Sequence, residues 1–460
     1  MADAVQQIIP VSKHNLDRIV RVVKKLISRR KSTRLTSLLQ RIHAADLTRL
    51  WNYFNEAERV QILNLLSEED SAALLSELDS EVRSEIIKSK NTDWIVDRLE
   101  ELGPDDSVDI LKDLSKWEAD FIIRHFDSEY SKKIKELLHY PEETAGALMT
   151  SDFFAVAQNG TVETIIKQFR KETENNDLQD LHFIYVVDSK NRLVGYISLR
   201  KLILERPKKK AKDIMKPVPV LVQPTMDQEE VAKLFRDYDL ISAPVVNETN
   251  VLLGRITVDD IVDVLEEEAS EDVYHMFGLH KGEKISNGIL ISLRHRFPWM
   301  LINIATTTLA AVVIGFYKGL IEQFVMLAMF MPMVAALGGA TGNQMVAMIV
   351  RGLALGNLHW KEIRWILIRD ISAVMLGALV IGVLVGFLSD LVFDNYLLGF
   401  VVAVALLLNM VFATVVGAAI PLLLKLFKMD PAYGSSILVA ASTDIMGFFI
   451  FLSLASEIFL

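Results

Sequence analysis

The chain has 460 residues, 51% hydrophobic and 23% charged, with a formal net charge of −10 and no cysteine. The charge is segregated. Only seven of its 49 Lys+Arg and eight of its 59 Asp+Glu fall within 298–460, so the part before carries nine more acids than bases. Absence of cysteine excludes disulfides and thiolate metal sites, and an acidic polar half argues against nucleic acid as a partner while suiting cations.

The first 30 residues lack an uninterrupted apolar core of signal-peptide length, so the polar part is expected to stay in the cytoplasm. Residues 1–140 read as all-helical. The apolar spacing of Val60-Gln-Ile-Leu-Asn-Leu-Leu66 and Ala72-Ala-Leu-Leu-Ser-Glu-Leu78 is that of helices. The stretch Leu66–Leu78 is repeated in outline by Leu102–Leu114, as in a small superhelix of helical hairpins. Asp105 and Asp109, four residues apart, share one helical face. By themselves they read as a solvated face with an N-cap after Pro104.

Residues 141–266 contain a tandem repeat. Phe183-Ile-Tyr-Val-Val-Asp and Ser242-Ala-Pro-Val-Val-Asn each lead, through a turn, to a second apolar run centred on Gly195 or Gly254. Each copy predicts strand, turn, strand, helix. This pattern resembles a pair of cystathionine-β-synthase-type (CBS) domains, with Asp213-Ile-Met215 opening the second copy. The resemblance implies an adenine nucleotide, ATP or another, in the cleft between copies. Its contacts would be Thr257 and Asp260 in the second copy; the first has Ser198 but Lys201 in place of the acid.

Residues 267–297 read as a connecting helix, acidic at Glu268, Glu271 and Asp272 and basic at Arg294-His-Arg296, which suits an anionic leaflet surface. Five apolar stretches of membrane-spanning length follow within 298–460, at 299–317, 325–350, 365–388, 397–424 and 432–456. Arg351, Lys361, Arg364, Arg369, Lys425 and Lys428 fall in loops on the side of the polar half, and Asp390 and Asp394 on the other. That distribution predicts a cytoplasmic N-terminus and an external C-terminus. Polar residues interrupt the second and fifth stretches. Gly338, Gly339, Gly342 and Asn343 suit either close helix packing or a pore lining. Asp444 lies twelve residues beyond Ala432, ~18 Å into the span, with no basic residue in its segment. A carboxylate there marks an ion pathway; the bland alternative is a local cap where Ser442 and Thr443 break the helix. Asp430-Pro431 reads as an ordinary N-cap and first-turn proline, and Asn409 as a residue for helix-to-helix hydrogen bonding. Oxygen ligands alone suit Mg2+, Ca2+ or Mn2+. No Walker loop, His-Glu-x-x-His or Gly-x-Ser-x-Gly occurs, so no enzyme is indicated.

The order of these parts resembles the MgtE family of Mg2+ channels and transporters over essentially the whole chain. Pro332…Gly338-Gly-Ala-Thr-Gly-Asn-Gln344, Asp430-Pro-Ala432 and Asp444 carry the resemblance. It implies five transmembrane helices joined to a cytoplasmic all-α superhelical N domain and α/β tandem CBS domains, in a homodimer set in the inner (cell) membrane. It implies hydrated Mg2+ at Asp444, with Asp430 and Asn343 along the pore. It also implies intracellular Mg2+ bridging Asp105, Asp109, Asp227, Glu229, Asp239, Asp260, Asp263, Glu268, Glu271 and Asp272 to close the channel. Ala340 and Ser436 depart from the family pattern, each lacking a carboxamide that would meet the ion's water shell. Two rivals stand beside this reading: a transporter of Mn2+, Co2+ or Ca2+ with the same architecture, and a nucleotide-sensing adaptor anchored by its spans.

Overall fold

The computed structural model describes residues 10–12, 14–29, 31–175, 181–280, 282–283, 288–356 and 358–460. The chain forms two compact units, one ending at Val264 and the other starting at Leu265.

The first unit begins with ten short helices: α1 (Leu16–Ser28), α2 (Ser32–Leu39), α3 (Ala44–Trp51), α4 (Glu56–Leu63), α5 (Glu68–Glu77), α6 (Ser80–Ser89), α7 (Thr92–Glu100), α8 (Pro104–Lys112), α9 (Lys116–Ile123) and α10 (Ser128–Leu137). The sequence starts and stops them. Asn55 and Ser115 each form a capping box, with Glu58 and Glu118. Helices of this length are not stable alone in water, so packing must hold them. Trp51, Leu74, Leu99, Ile110 and Ile134 are almost wholly buried in one core. That core runs on without a break into Val222, Val231, Phe235, Ile256 and Ile261 of the second repeat copy. The helical region and that copy therefore share one apolar interior.

The repeat follows as α11 (Ala145–Leu148), β1 (Ala155–Ala157), α12 (Val162–Asn175), β2 (Phe183–Val187), β3 (Leu193–Ser198), α13 (Leu199–Leu204), α14 (Ala211–Ile214), α15 (Gln228–Tyr238), β4 (Ser242–Val246), β5 (Leu252–Thr257) and α16 (Val258–Met276). β2 pairs antiparallel with β3, and β4 with β5, in matching register and with a bulge at the same place in each. The segments that open each copy are exchanged. Thr150 N–H donates to Arg255 O (2.8 Å) on β5, and Tyr196 N–H on β3 donates to Lys216 O (2.9 Å). A Cβ on Gly195 would sit 2.7 Å from Lys216 O, and one on Gly254 2.6 Å from Thr150 O. The two glycines that set the repeat's offset are thus the points of closest backbone approach.

The second unit holds the end of α16, then α17 (Ile289–Phe316), α18 (Lys318–Gln323), α19 (Met326–Ala354), α20 (Trp360–Phe393), α21 (Tyr396–Leu426) and α22 (Ser435–Phe459). Five of these, α17 and α19–α22, are long and apolar enough to span a membrane. Residues 267–297 are not one connecting helix. α16 runs on to Met276, and the spanning helix α17 runs from Ile289 to Phe316 with Pro298 inside it. α19 and α22 are unbroken through their polar positions. Ser442 and Thr443 turn their hydroxyls back to Leu438 O (2.8 Å) and Ala440 O (2.9 Å) and leave α22 continuous.

α21 is central, packed against α19, α20 and α22. Small residues let it approach. A Cβ on Gly417 would lie 2.5 Å from Gly342 O. Asn409, fully buried, donates to Val334 O on α19 (2.9 Å), the interhelical bond expected of it. Its side chain occupies the space beside Gly338 and Gly447. Gly338→Val should therefore destabilise the unit by about 1–3 kcal/mol, read as a lower melting temperature in detergent. Combining it with Asn409→Ala should recover part of that loss.

Candidate functional site

Two acidic groups form from residues far apart in the chain. In the first unit, the N-terminal turn of α8 faces that of α16. Gly103, not a residue after Pro104, is the N-cap of α8, which places Asp105 and Asp106 in its first turn. Asp259 and Asp260 occupy the first turn of α16. The shared core sets this meeting, since Val108, Ile110 and Leu111 of α8 are buried with Ile256 and Ile261. Burial, then the charges of Asp260 and Asp106, pushes Asp105 up to about 8. Burial first and like charge after it raise Asp106 and Asp260 to about 6. Asp109 lies one turn further along α8, bonded to Lys112 (3.2 Å), its side chain 60% exposed. Water reaches the outer edge of the group, and salt screens it there.

A carboxyl held above its unfolded value stabilises the fold in the protonated form. That contribution is complete below pH ~4 and is lost as pH rises through 8. Without divalent cations, the melting temperature of the whole chain should therefore rise as pH falls from 8 towards 5. Millimolar Mg2+ should flatten the slope.

The second acidic group surrounds His275 at the end of α16. His275 Nδ1 lies 2.5 Å from Asp430 Oδ2, and its Nε2 3.4 Å from Glu271 Oε1. The bond to Asp430 raises His275 above its ordinary value. Burial pushes Asp430 up, but the bonds from His275 and the Ala432 N–H outweigh it and leave Asp430 lowered. Glu271 is raised, by burial first and, against the pull of His275, by Glu268 and Asp430. Asp430 is not the N-cap of the last helix. It accepts from Ala432 N–H (2.8 Å) in the preceding turn, and Gly434, in the left-handed region, caps α22. Gly434 N–H donates to His275 O (2.7 Å), and Tyr433 meets the His275 ring edge-on.

Two of the other expected acids serve local structure. Asp227 caps α15 through Glu229 N–H (2.9 Å), and Asp239 takes the left-handed conformation that ends it. Asp263 is exposed on α16, one turn beyond Asp260. Thr257 Oγ1 donates to Asp260 Oδ2 (2.6 Å), so the expected nucleotide contacts are bonded to each other. In the first copy Ser198 caps α13. Asp106, Asp259 and His275 were not singled out from the sequence, although the first two adjoin residues that were and His275 stands four after Glu271.

In the membrane unit, Asp444 and Asn343 flank the contact between α19 and α22. Gly338 faces Thr443 and Gly342 faces Val439. Asn343 and Asp444 each follow one of these contacts by a single residue. The helices run antiparallel, so one 100° step from the contact carries both to the same flank. Gly339 is on that flank too, with open space where a Cβ would be. Along the axis Asp444 lies ~3 Å from the level of Gly339 and ~9 Å from that of Asn343. Asn343 Oδ1 and Ser436 Oγ are buried without a hydrogen-bond partner among the described residues. Ala340 is exposed. No three His, Asp or Glu among the described residues converge closely enough to enclose a bare ion. Isolated carboxylates beside open space instead suit an ion that keeps its waters, as Mg2+ does.

Five apolar helices of spanning length, an acidic helical region and a tandem α/β pair define a multi-pass membrane protein with a CBS pair. Family models agree. MgtE, described as a divalent cation transporter, matches residues 331–454. The MgtE intracellular N domain matches 42–143, and the CBS domain matches 145–208 and 211–267. The magnesium transporter MgtE of Bacillus subtilis is 32% identical over 359 residues, 78% of this chain and 79% of that protein. That of Thermus thermophilus is 35% identical over 348 residues, 72% and 76%. The crystal structure of the cytosolic domain of the Mg2+ channel MgtE in complex with ATP is 34% identical, with a TM-score of 0.51. The match covers 53% of this chain and 99% of that one. The chain belongs to the MgtE family.

Proposed function

We propose that this chain carries hydrated Mg2+ across the cell membrane and that its two acidic groups respond to the same ion on the cytoplasmic side. The observation that carries the first part is the flank of α19 and α22. There Asp444, paired with no described residue, a small Gly339 and an Asn343 carbonyl unsatisfied among the described residues line one open strip at membrane depth. A lone carboxylate at that depth is costly unless a cation offsets it. Paired with its copy in a homodimer, Asp444 would give one hydrated ion two carboxylates. Ala340 is exposed near this strip without a carboxamide, so Asn343 is left to meet the ion's waters.

Regulation rests on the facing first turns of α8 and α16. Asp105, Asp106, Asp259 and Asp260 repel one another when bare, which loosens the helical domain from the second CBS copy. A divalent ion held there through its water shell would offset the repulsion, biasing the unit towards its closed arrangement by differential binding. Glu268, Glu271, Asp272 and Asp430 do the same around His275. The second CBS copy, with Thr257 and Asp260, is the place for an adenine nucleotide. Asp260 would then serve both ligands. Lys201 leaves the first copy without the acid that the second has at Asp260.

The test is flux into proteoliposomes with Mg2+, Mn2+, Co2+ and Ca2+ offered singly. Mg2+ should enter fastest. Equal or faster entry of another ion would make that ion the cargo, and nucleotide binding without any ion flux would leave an adaptor.

A further inference from the structure

α20 is longer than a membrane requires. Its 34 residues extend ~51 Å, against a hydrocarbon layer of ~30 Å. The uncharged, mostly apolar stretch starts at Ile371, so about the first ten residues project past it. That projection is amphipathic. Ile363 is buried, whereas Lys361, Arg364, Trp365, Ile368 and Arg369 are exposed on one face, at the i, i+3, i+4, i+7, i+8 spacing of a single stripe. The Arg369 guanidinium stacks on Trp365 at 5.1 Å and bonds Asp370 (2.8 Å), which fixes its place. Lys361 and Arg364 have no carboxylate partner among the described residues.

The same face continues along the helix. Trp365, Ser372, Leu379 and Gly386 are heptad steps, turning by only ~20° each. Leu379, Val383 and Gly386 form one wall of an apolar groove of 390 Å³, and Gly399, Phe400 and Ala403 of α21 form the other. Half the hydrocarbon layer, ~15 Å, is about ten helical residues. An acyl chain that starts beside Ile368 therefore ends at the groove's mouth.

We propose that this face binds one anionic phospholipid of the leaflet on the side of the α20 N-terminus. Its phosphate sits between Lys361 and Arg364 with Arg369 behind. Trp365 lies against the glycerol, and an acyl chain follows the stripe into the groove. Charge complementarity favours a phosphate here. A second copy docking through the same patch would set these cations against their own images.

The test is native mass spectrometry of the full chain released from phosphatidylcholine micelles spiked with phosphatidylglycerol. Wild type should retain phosphatidylglycerol at least tenfold over phosphatidylcholine. Lys361→Gln with Arg364→Gln should remove that preference while leaving the melting temperature unchanged. Val383→Trp, on an exposed wall position, should fill the groove and weaken retention of long-chain but not dihexanoyl phosphatidylglycerol. Equal retention of both lipids by wild type would overturn the proposal. So would an unchanged preference in the double variant, loss of the lipid to inorganic phosphate at equal concentration, or crosslinking of two chains through position 364.

Discussion

Asp444→Asn should cut Mg2+ entry at least tenfold in proteoliposomes while leaving the protein folded and inserted. Asparagine keeps the size and one oxygen of the side chain and removes the charge. The carboxylate sits on α22 between Thr443, which packs on Gly338, and Ile445, with no described cation paired to it. Water does not screen it there as it would at the surface, so a divalent ion passing Gly339 gains more than from a surface carboxylate. A tenfold loss corresponds to only ~1.4 kcal/mol of lost stabilisation, a low bar for a charge in apolar surroundings. Asp444→Glu keeps the charge but moves it and should retain part of the flux. Wild-type entry by Asp444→Asn would remove Asp444 from the pathway and with it the reading of the α19–α22 flank. The Asn343→Ala variant distinguishes a wet strip from a packing seam, since it deletes a carbonyl without a partner among the described residues. It should change the preference for Mg2+ over Ca2+ and leave the melting temperature nearly unaltered.

The second large effect concerns the facing helix starts. In wild-type protein, raising Mg2+ should slow proteolysis between α16 and α17. With Asp105→Asn and Asp260→Asn together, protection should be present without Mg2+ and stop depending on it. The reason is the sign of the interaction. Asp105 is raised by burial and then by Asp260 and Asp106, so the bare state is strained by like charge. At pH 9, where Asp105 and Asp260 are both ionised, removing these two charges does what a bound divalent ion would do. Allosteric couplings of this kind are ~1–3 kcal/mol, or about 5- to 150-fold in the midpoint. A shift of the Mg2+ midpoint by less than twofold would show that this group does not set the response. If the variants lose protection altogether, the carboxylates hold the helices together through some other partner and repulsion is not the device.

Much of this was legible from the sequence because it is local. Five runs of twenty or so apolar residues can only be satisfied by helices in a membrane. The 59-residue repeat, pinned by Gly195 and Gly254, specifies two copies of strand, turn, strand and helix. The cost of a carboxylate at Asp444 follows from its position in the run. Asn409 is legible as an interhelical hydrogen-bonding residue because amide side chains in spans seek partners, and it donates to Val334 O. What the sequence could not supply was which distant turns meet. Asp105 faces Asp260 because the helical region and the second repeat copy share one core, and a core is a property of packing. Asp430 reads as a helix cap in its own neighbourhood, yet the fold gives that task to Gly434 and turns Asp430 to His275, 155 residues away. Asp227 and Asp239 carry the same acidic chemistry as their neighbours and end up capping α15. Residue type and spacing thus decided the elements and the depth of Asp444. Only the tertiary structure decided which carboxylates are neighbours, since charge repulsion and burial act between side chains that the chain itself keeps far apart.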